Sequence, residues 1–234
     1  MSWLHDMLVG FDLETTGTEP AESRLVTAAL LEVKEGEPVR RREWLADPGV
    51  AIPAEATAIH GITTQRAVTE GRPAADVVAE VAAALVAYWR ADIPVVVYNA
   101  PFDLSLLAAE LRRHDLPSLE RQLGGVAVGP VVDPLVVDRA VDKYRKGSRS
   151  LENASALYGV RLDDAHEAGA DALAAVRVAL ALGERYGRQV GDLTPQELHE
   201  QQVGWHAEWA AGLQDWLRRK KDPAAVVDGT WPLR

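Results

Sequence analysis

Leu8-Val9-Gly10-Phe11-Asp12-Leu13-Glu14-Thr15-Thr16-Gly17 begins as an apolar strand and ends in two carboxylates and a turn. Side chains of an extended strand alternate between faces, so Asp12 and Glu14 leave the sheet on the same side. Two carboxylates so placed repel, and burying them raises their pKa unless a cation neutralises them. A hard divalent ion such as Mg²⁺ or Mn²⁺, bound through oxygen, resolves the conflict. A solvated strand end with two incidental acids gives the same local pattern, so the surrounding sequence has to separate the two.

Outward from this strand, Leu25 to Val33 and Val39 to Leu45 read as a second and third strand, divided by Glu35-Gly36 and closed by Asp47-Pro48-Gly49. A Pro- and Ala-rich loop follows, then a short helix capped by Thr63 and an Ala/Val-rich helix over Ala74 to Trp89. Pro94 to Tyr98 is a short buried strand, and Leu104 to His114 the helix after it. Val131 to Val137 holds a fifth strand that Pro134 cuts short. Ser150 caps a helix ending at Tyr158-Gly159, and a long helix covers roughly Ala165 to Tyr186. Three consecutive strands, then helices alternating with strands, predict an α/β fold with a mixed central sheet flanked by helices. Thr194, Pro195 and Glu197 form a capping box with Pro at the first helical position, so a further helix starts there and runs to Lys220. The expected organisation is a main domain over residues 1–190 and a C-terminal helical extension over residues 191–234.

A chain of 234 residues suffices for one core of about 150–200 residues and a modest appendage. Without cysteine, disulfides and thiolate metal sites are excluded. No basic head precedes an apolar stretch of signal-peptide length, and no apolar run approaches a membrane span, so a cytoplasmic protein is expected. The formal charge of −10 speaks against a broad basic surface gripping duplex nucleic acid. It is compatible with an enzyme whose carboxylates are neutralised by bound cations.

Phe11-Asp12-Leu13-Glu14-Thr15-Thr16-Gly17, Tyr98-Asn99-Ala100-Pro101-Phe102-Asp103, and His166 with Asp171 stand in the order and at the separations of the three motifs of the DnaQ-like 3′→5′ exonucleases, histidine branch. The chain resembles that family from Leu8 to about Leu182. The resemblance implies a ribonuclease H-like fold and a hydrolase working with two divalent cations, Mg²⁺ or Mn²⁺. It also implies that Asp12, Glu14 and Asp171 hold the first metal, that Asp12 bridges to the second, and that Asp103 supports the second, through water. His166 is then the general base on the attacking water, and a nucleoside 5′-monophosphate the product. Thr15, Thr16 and Gly17 would meet the terminal nucleotide through backbone N–H groups, or form a plain turn. Asn99 and Phe102 would shape the pocket, Phe102 being equally a core residue. His60, in His60-Gly61-Ile62-Thr63, either borders the cleft or caps the next helix. Tyr98 departs from the family, where many relatives carry His.

The third motif carries a geometric condition. Residues five apart on an α-helix lie about 140° apart around its axis. His166 and Asp171 therefore converge only if His166 sits in the loop or first turn, with Gly169 loosening the chain there.

Two further features remain open. Lys143, Arg145, Lys146 and Arg149 form a basic loop that either contacts the incoming strand's phosphates or is merely solvated. On the last helix Leu198, Trp205, Trp209 and Trp216 fall within about 40° of one another. That ridge either packs on the core, the expected outcome, or docks a polymerase, a clamp or a second copy. The leading functional expectation is an exonuclease acting on single-stranded DNA 3′ ends in proofreading or repair. The alternatives are an RNA-trimming enzyme and a catalytically inactive binding module.

Overall fold

The computed structural model describes residues 3–162 and 166–234. A 3₁₀ turn at Trp3–His5 leads into β1 (Met7–Thr15), β2 (Leu25–Lys34) and β3 (Glu37–Asp47). Then come α1 (Ala54–His60), α2 (Thr64–Glu70), β4 (Arg72–Pro73), α3 (Ala74–Arg90), β5 (Val95–Val96), α4 (Ala100–Arg113) and α5 (Leu119–Gln122). The chain continues with β6 (Val131–Val132), α6 (Pro134–Val141), α7 (Leu151–Tyr158), α8 (Ala168–Arg185), a 3₁₀ turn at Gly187–Gln189 and α9 (Pro195–Lys220). Among the described residues the strands form one six-stranded sheet in the order β4-β3-β2-β1-β5-β6. β1, β2 and β3 are antiparallel neighbours, whereas β5 and β6 join β1 in parallel. This is the expected mixed sheet flanked by helices.

Two apolar layers enclose the sheet, and the alternation in β1 assigns its side chains to them. Val9, Phe11 and Leu13 join the layer formed with α3 and α4. Leu8 joins the opposite layer, where α8 contributes Ala172, Ala175, Val176 and Ala179. Gly10 shares the face of Leu8, and α8 crosses directly over it. A Cβ at Gly10 would lie 2.5 Å from the Ala172 carbonyl oxygen, so any side chain there would push the helix away. Asp12 and Glu14 follow Gly10 on this face, and the close crossing brings the first turn of α8 beside them.

The caps read from sequence are formed. The Thr63 and Ser150 side chains accept from the third residue of their helices, and Thr194 with Glu197 closes the capping box; Ser118, not singled out in the sequence, caps α5 in the same way. Several segments differ from the sequence reading: α4 opens at Ala100 and not at Leu104, and β4 and α5 lie where no element is expected. The loop after β3 contains α1, whose N-cap Pro53 provides no side-chain bond and hence no local signal. Only Val131–Val132 of the valine-rich run are extended; Asp133 caps α6, and Pro134 occupies its first turn, where a missing N–H is harmless.

Helix α9 closes the sheet at its β6 edge through hydrogen bonds. Val131 N–H donates to His199 Nδ1 (3.0 Å), Gln202 Nε2 donates to the Val131 carbonyl (2.9 Å), and Asp133 N–H donates to Gln202 Oε1 (2.6 Å). Backbone groups that a bare edge strand would expose are thereby paired. The tail beyond α9 returns to the core, burying Trp231 with its ring 5.0 Å from that of His199. The buried face of α9 is Leu198, His199, Gln202, His206 and Ala210; Trp205 and Trp209 are half-buried and Trp216 is 44% exposed. No described helix is long and apolar enough to cross a membrane.

Candidate active site

The motif residues meet at the carboxyl ends of β1 and β5, where open α/β sheets form their binding crevice. A cleft of about 490 Å³ is lined there by Asp12, Glu14, Asn99, Phe102, Asp103, His166 and Asp171, with Tyr98, Arg139 and Arg149 at its walls. One carboxylate oxygen from each of Asp12, Glu14 and Asp171 lies within 4.8 Å of the others. Asp103 reaches the same end of β1 from α4, with Oδ1 accepting the Leu13 N–H at 3.1 Å.

Crowding and burial act together on these acids. Burial raises the Asp12 pKa well above the carboxylate range, and the charges of Asp103, Glu14 and Asp171 raise it further. Glu14 is pushed up to about 8, first by burial and then by Asp171. Burial also raises Asp171, against the opposing hydrogen bond from the His166 N–H and the His166 charge. Asp103 is raised by burial although two backbone N–H groups favour its ionised form. Asp171 Oδ1 is buried with no hydrogen-bond partner among the described residues. Oxygen donors that repel each other and an orphaned carboxylate oxygen suit a hard divalent cation.

His166 satisfies the geometric condition set by its spacing from Asp171. It lies outside α8 with φ 70°, and its N–H donates to Asp171 Oδ2 at 3.2 Å. Gly169 does not loosen the segment; it is buried in the first turn of α8, where a Cβ would meet the Arg41 guanidinium at 2.6 Å. The N-cap region of α4 is built by a residue that sequence reading missed. Asp133 is fully buried and accepts from the N–H groups of Asn99 (3.0 Å) and Ala100 (2.9 Å), holding Asn99 at φ 67° while also capping α6. Asp-Pro at residues 133–134 signals only its role as the α6 cap, not its reach to α4.

The turn after β1 uses its own polar groups. Thr15 Oγ1 donates to the Gly17 carbonyl (2.7 Å), Thr16 N–H donates to the Arg24 carbonyl (3.0 Å), and Thr16 Oγ1 accepts from Arg24 N–H (2.9 Å). Thr15, Thr16, Gly17 and His60 stand outside the cleft lining. His60 Nδ1 accepts the Ile62 N–H at 3.1 Å, and its ring abuts the Thr15 backbone. Tyr98 spends its hydroxyl on the Arg149 carbonyl (2.7 Å). In the basic loop, Arg145 and Arg149 converge on buried Asp138, which also accepts from the Tyr158 hydroxyl at 2.6 Å. Burial would raise Asp138, but these partners outweigh it and hold it below the usual carboxylate value. Two of the four basic residues are thus structural, although Arg149 still faces the cleft.

Residues 9–179 match the RNase T exonuclease family. The chain belongs to that exonuclease family. Among curated relatives, this exonuclease is 29% identical over 171 residues to the PolC-type DNA polymerase III of Streptococcus thermophilus. It is 27% identical over 192 residues to that of Lacticaseibacillus paracasei. These alignments take in 73% and 82% of the chain but only 11% and 12% of the polymerases, so the chain spans about a tenth of their length. Among solved structures, exonuclease I of Methylocaldum szegediense aligns with TM-score 0.62 and 26% identity over 78% of this chain and 41% of its own. Escherichia coli exonuclease I, in its zinc-bound complex with single-stranded DNA, gives TM-score 0.68 at 21% identity over 86% and 43% respectively, a likeness of fold. The ribonuclease H-like architecture and the DnaQ-like 3′→5′ exonuclease assignment agree with these comparisons.

Proposed function

We propose that the chain removes nucleotides one at a time from the 3′ end of single-stranded DNA, releasing nucleoside 5′-monophosphates. The observation that carries this reading is the convergence of Asp12, Glu14 and Asp171 oxygens within 4.8 Å, with His166 on the same cleft. Asp12, Glu14 and Asp171 would hold one divalent cation, and Asp12 with Asp103 a second. Bound there, Mg²⁺ or Mn²⁺ supplies Lewis-acid polarisation of the scissile phosphate and lowers the pKa of water. His166 accepts the proton as water oxygen bonds to phosphorus and the bond from phosphorus to the 3′ oxygen breaks. Asp171, hydrogen-bonded to the His166 backbone, ties the base to the ligand set. Phe102 and the Asn99 amide border the terminal nucleotide, while the Thr15-Thr16-Gly17 turn, braced by His60, forms the rim beyond Glu14.

Purified protein with Mn²⁺ and 5′-labelled DNA and RNA oligonucleotides tests this directly. The expected result is a ladder shortened from the 3′ end on DNA, abolished by EDTA and by Asp12→Ala. Faster degradation of RNA would replace the substrate with RNA, and binding without hydrolysis would make the chain an inactive binding module. Similarity to PolC-type polymerases favours a replication-linked role beside a polymerase, which co-elution with the cell's replicative polymerase would support.

A further inference from the structure

Helix α9 and the loop after α6 enclose a second groove, of about 660 Å³. Trp205, Trp209, Trp216 and Tyr144 supply its aromatic surface, and Arg139, Lys143 and Arg149 its positive charge. Tyr144 is 89% exposed and Trp216 44% exposed, a placement that core packing does not require. The Arg139 guanidinium lies 3.7 Å over the Trp209 ring, and Lys221 Nζ lies 5.3 Å from the centre of Trp216. Arg139 and Arg149 also line the carboxylate cleft, so the groove begins where the cleft ends. In a chain with formal charge −10, Glu208 is the single acidic residue among the groove's lining residues.

We propose that this groove carries the single strand upstream of the scissile nucleotide, its bases stacked on Trp209, Trp216 and Tyr144 and its phosphates beside Arg139 and Lys143. The inference rests on the nuclease reading of the cleft. Aromatic faces interleaved with cations form a sequence-tolerant stacking platform, since every base offers a π-face. Protein interfaces also favour Trp, Tyr and Arg but are depleted in Lys, so Lys143 and the groove's continuity with the carboxylate cleft through Arg139 and Arg149 are what favour a nucleic-acid strand. Trp209 and Trp216 are seven residues apart, about 10 Å along the helix axis, a span of about two to three nucleotides.

The test compares hydrolysis of a thymidine dinucleotide with that of a dT12 strand, alongside quenching of tryptophan fluorescence by dT12 in the non-hydrolysing Asp12→Ala background. Tyr144 and Trp216 are chosen because their exposure lets them change without unfolding the chain, whereas Trp209 also packs on His206. Wild-type kcat/KM should rise steeply from dinucleotide to dT12. In Tyr144→Ala/Trp216→Ala that rise should fall by about ten- to a hundredfold, with dT12 binding weakened in parallel. Tyr144→Phe/Trp216→Phe should restore both, because stacking needs the ring and not the hydroxyl or indole nitrogen. Lys143→Ala should lower the salt slope of dT12 binding by about one. A double alanine variant with wild-type length dependence and wild-type dT12 binding overturns the proposal. So does a wild-type protein that self-associates through this face and is made monomeric by the substitutions. Failure of wild-type protein to hydrolyse either substrate would instead count against the nuclease reading, and equilibrium binding of dT12 would still decide the groove.

Discussion

Replacing Glu14 by Gln should make the metal-free protein more stable at alkaline pH while destroying its response to divalent metal. The folded state holds the Glu14 carboxyl at about 8, against an ordinary value of 4.5, through burial and the charge of Asp171. A carboxyl raised on folding keeps its proton in the native state after the unfolded chain has released it. Stability is therefore fully present below about pH 4.5, declines as pH rises toward 8, and is then constant at its reduced value. At about 1.36 kcal/mol per pH unit the full penalty would be about 5 kcal/mol. Glu14 retains some contact with water, and neighbouring carboxyls can relax around it, so about 1–2 kcal/mol is the realistic share. For a chain of this size that is a rise in Tm of about 2–8 °C. Removing the charge also relieves Asp12, whose own pKa it raises.

Thermal melts in EDTA from pH 4.5 to 9 measure this directly. Wild type and Glu14→Gln should coincide at the acid end and separate progressively, the variant melting higher at pH 8.5. Excess Mn²⁺ at that pH should reverse the order, because a cation that binds only the folded site stabilises the protein that still has its ligands. Parallel melting curves across the whole pH range, with equal Mn²⁺ responses, would refute the reasoning, since Glu14 would then be an ordinary solvated acid.

Asp171→Ala should abolish hydrolysis yet melt no lower than wild type in EDTA, and near-wild-type nuclease activity in the pure variant would remove Asp171 from the site. His166→Ala should slow hydrolysis by about 10²–10⁴-fold while retaining Mn²⁺ binding by calorimetry; a loss of Mn²⁺ affinity equal to that of Asp171→Ala would make it a ligand. Gly10→Val should lift α8 from β1, where a Cβ would sit 2.5 Å from the Ala172 carbonyl oxygen, costing about 1–3 kcal/mol and most of the activity. A Gly10→Val protein with unchanged Tm and rate would show that Asp171 does not depend on that crossing. Deleting residues 191–234 should bare the β6 edge and lower Tm sharply or cause aggregation, and a soluble, active truncation with unchanged Tm would show that the extension is dispensable.

The legible parts of this molecule are those whose causes are local. Period-two alternation puts Asp12 and Glu14 on one face, and a Thr or Ser three residues before a backbone N–H marks the starts of α2, α7 and α9. The valine run from Val131 to Val137 reads as a strand cut short by Pro134, and most of it is helix, because a short apolar stretch has no period that separates strand from helix. Asp133-Pro134 resolves it, but only if Pro is read as a helix opener and not as a strand breaker. That Asp171 lies against Asp12 is a tertiary fact, set by the absence of a side chain at Gly10. No pattern along the chain announces that Asp133 would hold the N–H groups of Asn99 and Ala100, more than thirty residues earlier.

In helix α9 the tryptophan ridge lies at the margin of the buried face, with Leu198 buried, Trp205 packed against the core and Trp216 turned outward. At about 100° per residue the stripe of Leu198, Trp205, Trp209 and Trp216 centres about 70° away from the buried stripe of Leu198, His199, Gln202, His206 and Ala210. An apolar surface would have drawn in the tryptophans. The neighbour is instead the outer edge of β6, which presents the N–H and carbonyl of Val131 and the N–H of Asp133. Leaving such groups buried and unpaired costs more than leaving an indole half in water. A carboxamide able to donate and accept, and an imidazole able to accept, therefore take the inner face. The same rotation leaves the Trp209 and Trp216 rings beside Arg139, at the mouth of the carboxylate cleft. Closing the sheet edge and displaying the aromatic groove are thus two consequences of one helix orientation.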